Sequence, residues 1–272
     1  MTPLTVTVIT FNEEKNIREC LESVSWVPNI VVVDSQSTDR TVAIAREFTE
    51  HVVVTDWPGH VEQKNRAVDL APTDWVLSID ADERVTPEMR AEIEAALATE
   101  PTCAGFSFPR RTWHLGRWIL HGGWYPDRKL RLFDRRRARW GGTNPHDHVN
   151  ANGPVEARFG DILHYTYRDL RHHLEVIDFF TDIAARGRES KRRWLLPRLV
   201  FGPPFKFCKM YWVKRGYRDG FAGFIIAALG ALYVFLKDAK LWERGELRRR
   251  GLDPDRQPRY TRGPEYRPPR SW

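Results

Sequence analysis

Residues Ser78 to Glu83 read SIDADE, an apolar run that ends on three acids, two of them one residue apart. Side chains alternate along an extended chain, so Asp80 and Asp82 point the same way if the strand continues through them. Two carboxylates so placed repel unless something positive sits between them. Magnesium and manganese suit such a pair, because both take oxygen ligands and are held by one or two carboxylates plus the phosphates of a substrate. A second cluster is the run His146-Asp147-His148. Asp147 there is a candidate general base, while His146 and His148, two residues apart, are an alternative metal pair with no third protein ligand nearby in the sequence.

Holding these groups in place needs a rigid frame, and the first part of the chain has the pattern of one. TVTVIT (Thr5 to Thr10), IVVVDS (Ile30 to Ser35), VVVTD (Val52 to Asp56) and WVLSID (Trp75 to Asp80) are short β-branched runs of strand type. Between the first two, Ile17, Cys20, Leu21 and Val24 fall at i, i+3, i+4 and i+7, the spacing of one helix face. After Asp80, Thr86 reads as an N-cap with Pro87 at the first helical position, and Met89, Ile93, Ala96 and Leu97 supply a buried face. Regular alternation of strand and helix predicts an α/β fold, a mostly parallel sheet flanked by helices. In such sheets ligands bind beyond the carboxyl ends of the strands, and Asp34, Asp56 and the Asp80/Asp82 pair all stand at such ends. Taken singly, each acid also reads as a turn or capping residue; Asp39, after Ser37 and Thr38, is assigned that role, and Asp-Trp-Pro-Gly at Asp56 makes a turn equally well. Capping does not explain the one-residue spacing of Asp80 and Asp82.

At 272 residues and 42% hydrophobic content, the chain can bury one full core with length left over for a smaller attached element. Cys20, Cys103 and Cys208 are odd in number and widely spaced, which fits a reducing compartment better than a disulfide framework or a Cys-based zinc site. The start, MTPLTVTVIT, has no basic region leading into a long apolar stretch, so no secretory signal and a cytoplasmic-side location are expected. The formal charge of +7 suits nucleic acid, anionic lipid or phosphorylated substrates. No GxGxxG follows the first strand and no GxxxxGK before Ser or Thr occurs, which removes the dinucleotide and P-loop ways of holding phosphate.

Four motifs in order, VITFNEEKNI (Val8 to Ile17), VVVDSQSTDRT (Val31 to Thr41), GHVEQKNRAV (Gly59 to Val68) and SIDADE, resemble the family 2 glycosyltransferases of the GT-A fold. GGWYPDRKLRLFDRR, GGTNPHDHV and the C-terminal hydrophobic segment extend the likeness, which is to the lipopolysaccharide-core β-1,4-glucosyltransferase subgroup. The resemblance implies an inverting transfer of a hexose, glucose first, from a UDP-sugar to a lipid-linked saccharide such as the lipopolysaccharide core, with Mg2+ or Mn2+ as cofactor. It implies that Thr10, Phe11 and Glu13 lie around the base, that Asp34 reads base or ribose, and that Lys64 and Asn65 lie near the nucleotide. Asp80 and Asp82 match the DXD pair, Asp82 as the direct metal ligand and Asp80 toward the ribose or the metal's water shell. Asp147 is the base implied; the family usually has His-Glu where this chain has His146-Asp147, and Asp is shorter by one methylene. Trp124 and Tyr125, with His146, are assigned to the acceptor side, whereas Trp113, Trp118 and Trp140 also read as core. Arg128, Lys129 and Arg131 read either as contacts to phosphates of an anionic acceptor or, alternating with Leu130 and Leu132, as the solvated face of a half-buried strand. Alternatives to this function are transfer to polyprenyl phosphate, assembly of another cell-surface polysaccharide, or non-catalytic binding of a nucleotide sugar at a membrane.

Beyond Arg186 the composition changes to basic clusters mixed with Trp, Phe and Tyr, followed by FAGFIIAALGALYVFL (Phe221 to Leu236). That run is shorter than the roughly 20 residues a spanning helix needs. It reads as a buried helix, a re-entrant segment or an interfacial element with its cations on an anionic membrane surface. The organisation expected is a GT-A catalytic domain over residues 1–185, a basic, partly apolar helical extension over 186–246 that attaches peripherally or monotopically to the cytoplasmic side of the inner membrane, and an unpacked Pro/Arg-rich tail over 247–272. Aromatic and basic interleaving also serves single-stranded nucleic acid. No helix-turn-helix, RRM or zinc-finger motif accompanies it, so nucleic acid is not expected as a partner.

Overall fold

The computed structural model describes residues 2–143, 146–186 and 194–255. The tail from residue 256 onward, part of the stretch read as unpacked, lies outside them. The chain forms two compact units, one made of residues up to Leu170 together with Tyr211–Phe224, the other of Arg171–Met210 with the residues from Ile225 onward.

In the first unit the elements run β1 (Leu4–Thr10), α1 (Ile17–Val24), β2 (Asn29–Asp34), α2 (Thr41–Ala45), β3 (Val52–Val54), α3 (His60–Asp69), β4 (Trp75–Asp80), β5 (Glu83–Val85) and α4 (Pro87–Ala96). Then follow β6 (Gly105–His114), β7 (Arg117–Ile119), β8 (Asp127–Asp134), β9 (Ala138–Thr143), β10 (His146–Ala151), β11 (Val155–Ala157) and β12 (Ile162–His164). The main sheet has the order β3-β2-β1-β4-β8-β6-β12-β5. It is parallel from β3 to β4 and mixed beyond, where β8 runs antiparallel to both β4 and β6. β1, β2 and β4 are buried almost throughout, which is why they read as near-continuous apolar runs.

Local signals account for the helices on this sheet. α1 buries Ile17, Cys20, Leu21 and Val24, the four positions of its apolar stripe. α4 begins after Thr86, whose side chain accepts a hydrogen bond from the Met89 amide, with Pro87 in the first turn. Register then aligns the strand ends: Thr10 stands opposite Asp34, and Ile9 opposite Asp80. The chain moves from β1 outward through β2 to β3 and returns to β4 on the other side of β1, so the gap between β1 and β4 is the topological switch point where such sheets bind ligands. Cys20 and Cys103 are buried free thiols, and Cys208 is an exposed one.

The segment Tyr211–Phe224 joins this unit through Asp219, which is 2% exposed. Its carboxylate accepts from the main-chain amides of Leu120 (3.2 Å) and His121 (2.8 Å), and His121 Nδ1 lies 2.9 Å away.

In the second unit, α5 (Leu170–Arg186), α6 (Leu195–Cys208) and most of α7 (Gly220–Arg249) pack together. Ala185, Leu195 and Leu241 form a small core. Lys240 pairs with Asp178 and Asp182, each at 2.6 Å, and Arg198 pairs with the buried Asp238. The apolar run at 221–236, too short to span when read in isolation, lies within a helix of 30 residues. Gly216–Arg249 is long and apolar enough to cross a membrane by length and composition: its most apolar 18-residue stretch has a mean hydropathy of 1.9, and 22% of that stretch is buried.

Candidate active site

A cavity of about 310 Å³ opens at the switch point. The carboxyl end of β1 and the loop after it supply Thr10, Phe11 and Glu13; β4 and its following turn supply Asp80 and Asp82; α3 supplies His60 and Lys64; β10 supplies Asp147; and β12 supplies His164. Seven residues read from the sequence, Thr10, Phe11, Glu13, Lys64, Asp80, Asp82 and Asp147, therefore line one space. Thr10 Oγ1 is buried there with no hydrogen-bond partner among the described residues.

Each acid of SIDADE is held by basic side chains of the protein, Asp80 and Glu83 sharing Arg131. β4 ends at Asp80, so Asp82 falls in the turn before β5 and the two carboxylates have separate partners. Arg131 donates to Asp80 Oδ2 and to Glu83 Oε1, each at 2.6 Å. Lys64 Nζ lies 2.8 Å from Asp80 Oδ1 and 2.8 Å from Asp147 Oδ2. Trp140 carries both cations on its ring, Lys64 at 4.2 Å and Arg131 at 5.3 Å from the centroid, and its indole N–H donates to Ser78 at 3.2 Å. Burial works to raise the Asp80 pKa, but Arg131 and Lys64 outweigh it and hold the carboxyl well below the usual carboxylate range. Burial acts upward on Asp82 too, and His164, whose Nε2 is 3.2 Å from Asp82 Oδ2, leaves it below its ordinary value. Glu13 goes the other way: burial raises its pKa more than the hydrogen bond from Asn16 lowers it. His60 is pushed down, mainly by burial.

Other expected residues stand outside this cavity's lining. Asp34 is fully buried and accepts from the amide (2.8 Å) and hydroxyl (2.5 Å) of Ser37, so it fixes the loop after β2. Asn65 exchanges two hydrogen bonds with the main chain of Trp140, at 3.0 and 3.1 Å, and ties α3 to β9. Trp124 stacks on His114 at 5.9 Å, and the Tyr125 hydroxyl donates to Asp161 at 3.1 Å. His146 opens β10, and its side chain lies outside the described residues. Arg131 is no member of a solvated face: its side chain is 3% exposed beneath Asp80.

Sequence reading missed His164, His60 and the structural part of Arg131 and Trp140. His164 sits in DILHY, which carries no motif. Only the antiparallel pairing of β12 with β5, which sets His164 opposite Glu83, brings it beside Asp82. The described residues contain no ready cluster of three or more His, Cys, Asp or Glu side chains for a metal. Asp82 with His164 nonetheless fits the arrangement in which protein supplies one or two ligands and substrate phosphates the others.

Residues 5–157 match the family described as Glycosyl transferase family 2. The chain belongs to that family. It is thus an enzyme of sugar transfer with the α/β architecture expected of a GT-A fold. Among its relatives, this family 2 enzyme is 30% identical over 256 residues, 91% of its own length and 95% of the other, to the lipopolysaccharide core biosynthesis glycosyltransferase LpsC of Rhizobium meliloti (strain 1021). It is 28% identical over 260 residues, 89% of its length and 88% of the other, to an uncharacterized glycosyltransferase, RT0209, of Rickettsia typhi. Among solved structures, S. aureus TarS 1-349 in complex with UDP-GlcNAc is 14% identical, covering 92% of this chain and 93% of that one at a TM-score of 0.45. Glucosyl-3-phosphoglycerate synthase of Mycobacterium tuberculosis, in complex with Mg2+ and UDP, is 24% identical, covering 41% of this chain and 44% of that one at a TM-score of 0.35.

Proposed function

We propose that this glycosyltransferase moves a hexose, glucose first, from a UDP-sugar to a lipid-linked saccharide of the lipopolysaccharide-core type, with inversion at the anomeric carbon. The observation that carries the reading is Lys64, which joins Asp80 at the end of β4 to Asp147 on β10 within one cavity. Asp147 takes the proton of the acceptor hydroxyl, whose oxygen bonds to the anomeric carbon as the bond from that carbon to the diphosphate oxygen breaks on the opposite face. Lys64 orients Asp147 and, with Arg131, keeps Asp80 ionised for the donor's ribose side. Thr10, Phe11 and Glu13 border the nucleotide, and Asp34 and Asn65 hold the loop and strand around it. Asp82 and His164 would hold Mg2+ or Mn2+, which would supply Lewis-acid stabilisation of charge on the leaving diphosphate.

Residues 186–246 attach the enzyme to the cytoplasmic side of the inner membrane, peripherally or monotopically. Leu196, Val200, Phe201 and Phe205 of α6 are each more than half exposed, in a segment rich in basic residues.

The test is UDP release followed by mass spectrometry over a panel of nucleotide sugars, with a core-lipid acceptor, manganese or EDTA, and Asp82→Ala and Asp147→Asn beside the wild type. Release from one donor that requires acceptor, metal and both acids is the expected result. UDP binding without release from any donor would overturn the acceptor assignment.

A further inference from the structure

The segment Tyr211–Phe224, which belongs to the first unit, leaves large apolar side chains in water. Trp212, Val213 and Phe221 are 61%, 75% and 76% exposed, and Tyr217 and Phe224 are exposed as well. We propose that this turn is a lipid-contact surface of the catalytic unit itself, which sets its aromatic rings and cations on the headgroups of an anionic bilayer. The inference rests on the membrane attachment read above for residues 186–246 and goes beyond α6, because it gives part of that contact to the unit that holds the active site.

The patch is preformed. Tyr211 is its centre, with its ring 5.0 Å from that of Trp212, 6.3 Å from Tyr217 and 5.9 Å from Phe224, on which Phe221 stacks at 5.8 Å. Gly223 lacks the Cβ that would strike the Gly216 carbonyl, so the turn folds back on the start of α7. Three consecutive main-chain amides fasten it to the loop after β7: those of Leu120 and His121 donate to the buried Asp219, and that of Gly122 donates to the Lys214 carbonyl at 2.9 Å. A contact made by the turn is therefore made by the catalytic unit. Charge favours an anionic surface as the occupant. Lys214, Arg215 and Arg218 are all exposed, and none of them has an ion pair among the described residues. Asp219, the one acid of the turn, is buried and spends its charge on those amides and on His121. Trp and Tyr beside Lys and Arg are the residue types that settle at the headgroup level of a bilayer, the rings in the boundary and the cations on anionic lipid. Along the chain the turn runs directly into the apolar stretch from Phe221 to Leu236, an order that matches the passage from headgroups to acyl chains.

The experiment is co-sedimentation of the full-length enzyme with vesicles of phosphatidylcholine alone or mixed with phosphatidylglycerol. It compares the wild type with Trp212→Ser/Phe221→Ser, Arg215→Gln/Arg218→Gln and, on the other unit, Phe201→Ser/Phe205→Ser. Each turn variant should bind anionic vesicles about tenfold or more weakly and keep its UDP affinity, and the arginine variant should lose most of the preference for phosphatidylglycerol. Brominated lipids in the same vesicles should quench a larger fraction of the fluorescence of the wild type than of Trp212→Phe, which keeps an aromatic ring and so reports contact without loss of packing. Unaltered vesicle binding by both turn variants, or equal quenching in Trp212→Phe, would overturn the proposal. A loss confined to Phe201→Ser/Phe205→Ser would overturn it as well and leave attachment to α6 alone. Failure of the wild type to bind any vesicle would sink the membrane reading as a whole, this surface included. A wild-type dimer that dissociates in Trp212→Ser/Phe221→Ser, with vesicle binding unchanged, would give the surface to a second copy of the chain instead.

Discussion

The cavity floor and the surface of α6 spend residue types in opposite ways. At the floor, Asp80, Glu83, Lys64 and Arg131 bring charge out of water and keep it paired. On α6, Phe201 and Phe205 are each 69% exposed, apolar surface left in water. Either choice works against stability by itself, since desolvated charge costs free energy unless matched and exposed aromatics forgo the gain of burial. Such departures concentrate where a fold serves something other than its own stability. On the proposed reading, the floor serves chemistry and α6 serves docking.

The sharpest way to break this contrast is at Asp147, the proposed base. Asp147→Asn should lower kcat by about 10²–10⁴-fold with UDP affinity retained, as measured by steady-state UDP release and by titration; a variant of near-normal kcat would move the base elsewhere. Next in size is the buried pairing. Arg131→Met removes the cation that Asp80 and Glu83 share and leaves them only Lys64 and Arg110, and urea unfolding should show a loss of about 3–5 kcal/mol, partly restored by adding Glu83→Gln. A loss below about 1 kcal/mol would place this network with ordinary surface ion pairs. On the other region, Phe201→Ser with Phe205→Ser should weaken co-sedimentation with anionic vesicles by about tenfold or more, from about 1.5–3 kcal/mol per aromatic group. Thermal unfolding should hardly change, and unaltered vesicle binding would remove α6 from the docking surface.

The smallest effect is in pH. Asp80 is held below its ordinary pKa in the folded protein, chiefly by Arg131 and Lys64 against the upward pull of burial. A depressed carboxyl contributes stability that is fully present above the unfolded value and is lost as pH falls through the folded one. The stability difference between wild type and Asp80→Asn should therefore be flat from about pH 8 to 5 and shrink below about pH 4. Chemical denaturation at a series of pH values checks this, and a difference that grew toward acid would reverse the sign of the pairing.

Much of this was legible before any coordinates. The stripe at Ile17, Cys20, Leu21 and Val24, the Thr86-Pro87 helix start and the four strand runs rest on contacts within a few residues, so pattern alone sufficed to place α1, α4, β1, β2, β3 and β4. Asp80, Asp82, Asp147 and Lys64, which line one cavity, could be singled out because their motifs are compact. The partners of those acids were not. Arg131 sits in an alternating stretch that looks half-solvated, and its burial follows from β8 lying between β4 and β6. Likewise Asn65, read as a nucleotide neighbour, spends its amide on Trp140, a pairing 75 residues apart in sequence.

By itself, then, the sequence determined which residues carry charge to the strand ends and which segment is apolar, because both are properties of short runs. The tertiary structure decided which cation meets which carboxylate. It gave Asp80 to Arg131 and Lys64, Asp82 to His164, and one Lys64 to two acids. The physical reason is that an ion pair is set by distance in space, and strand order brings together side chains that no local pattern relates.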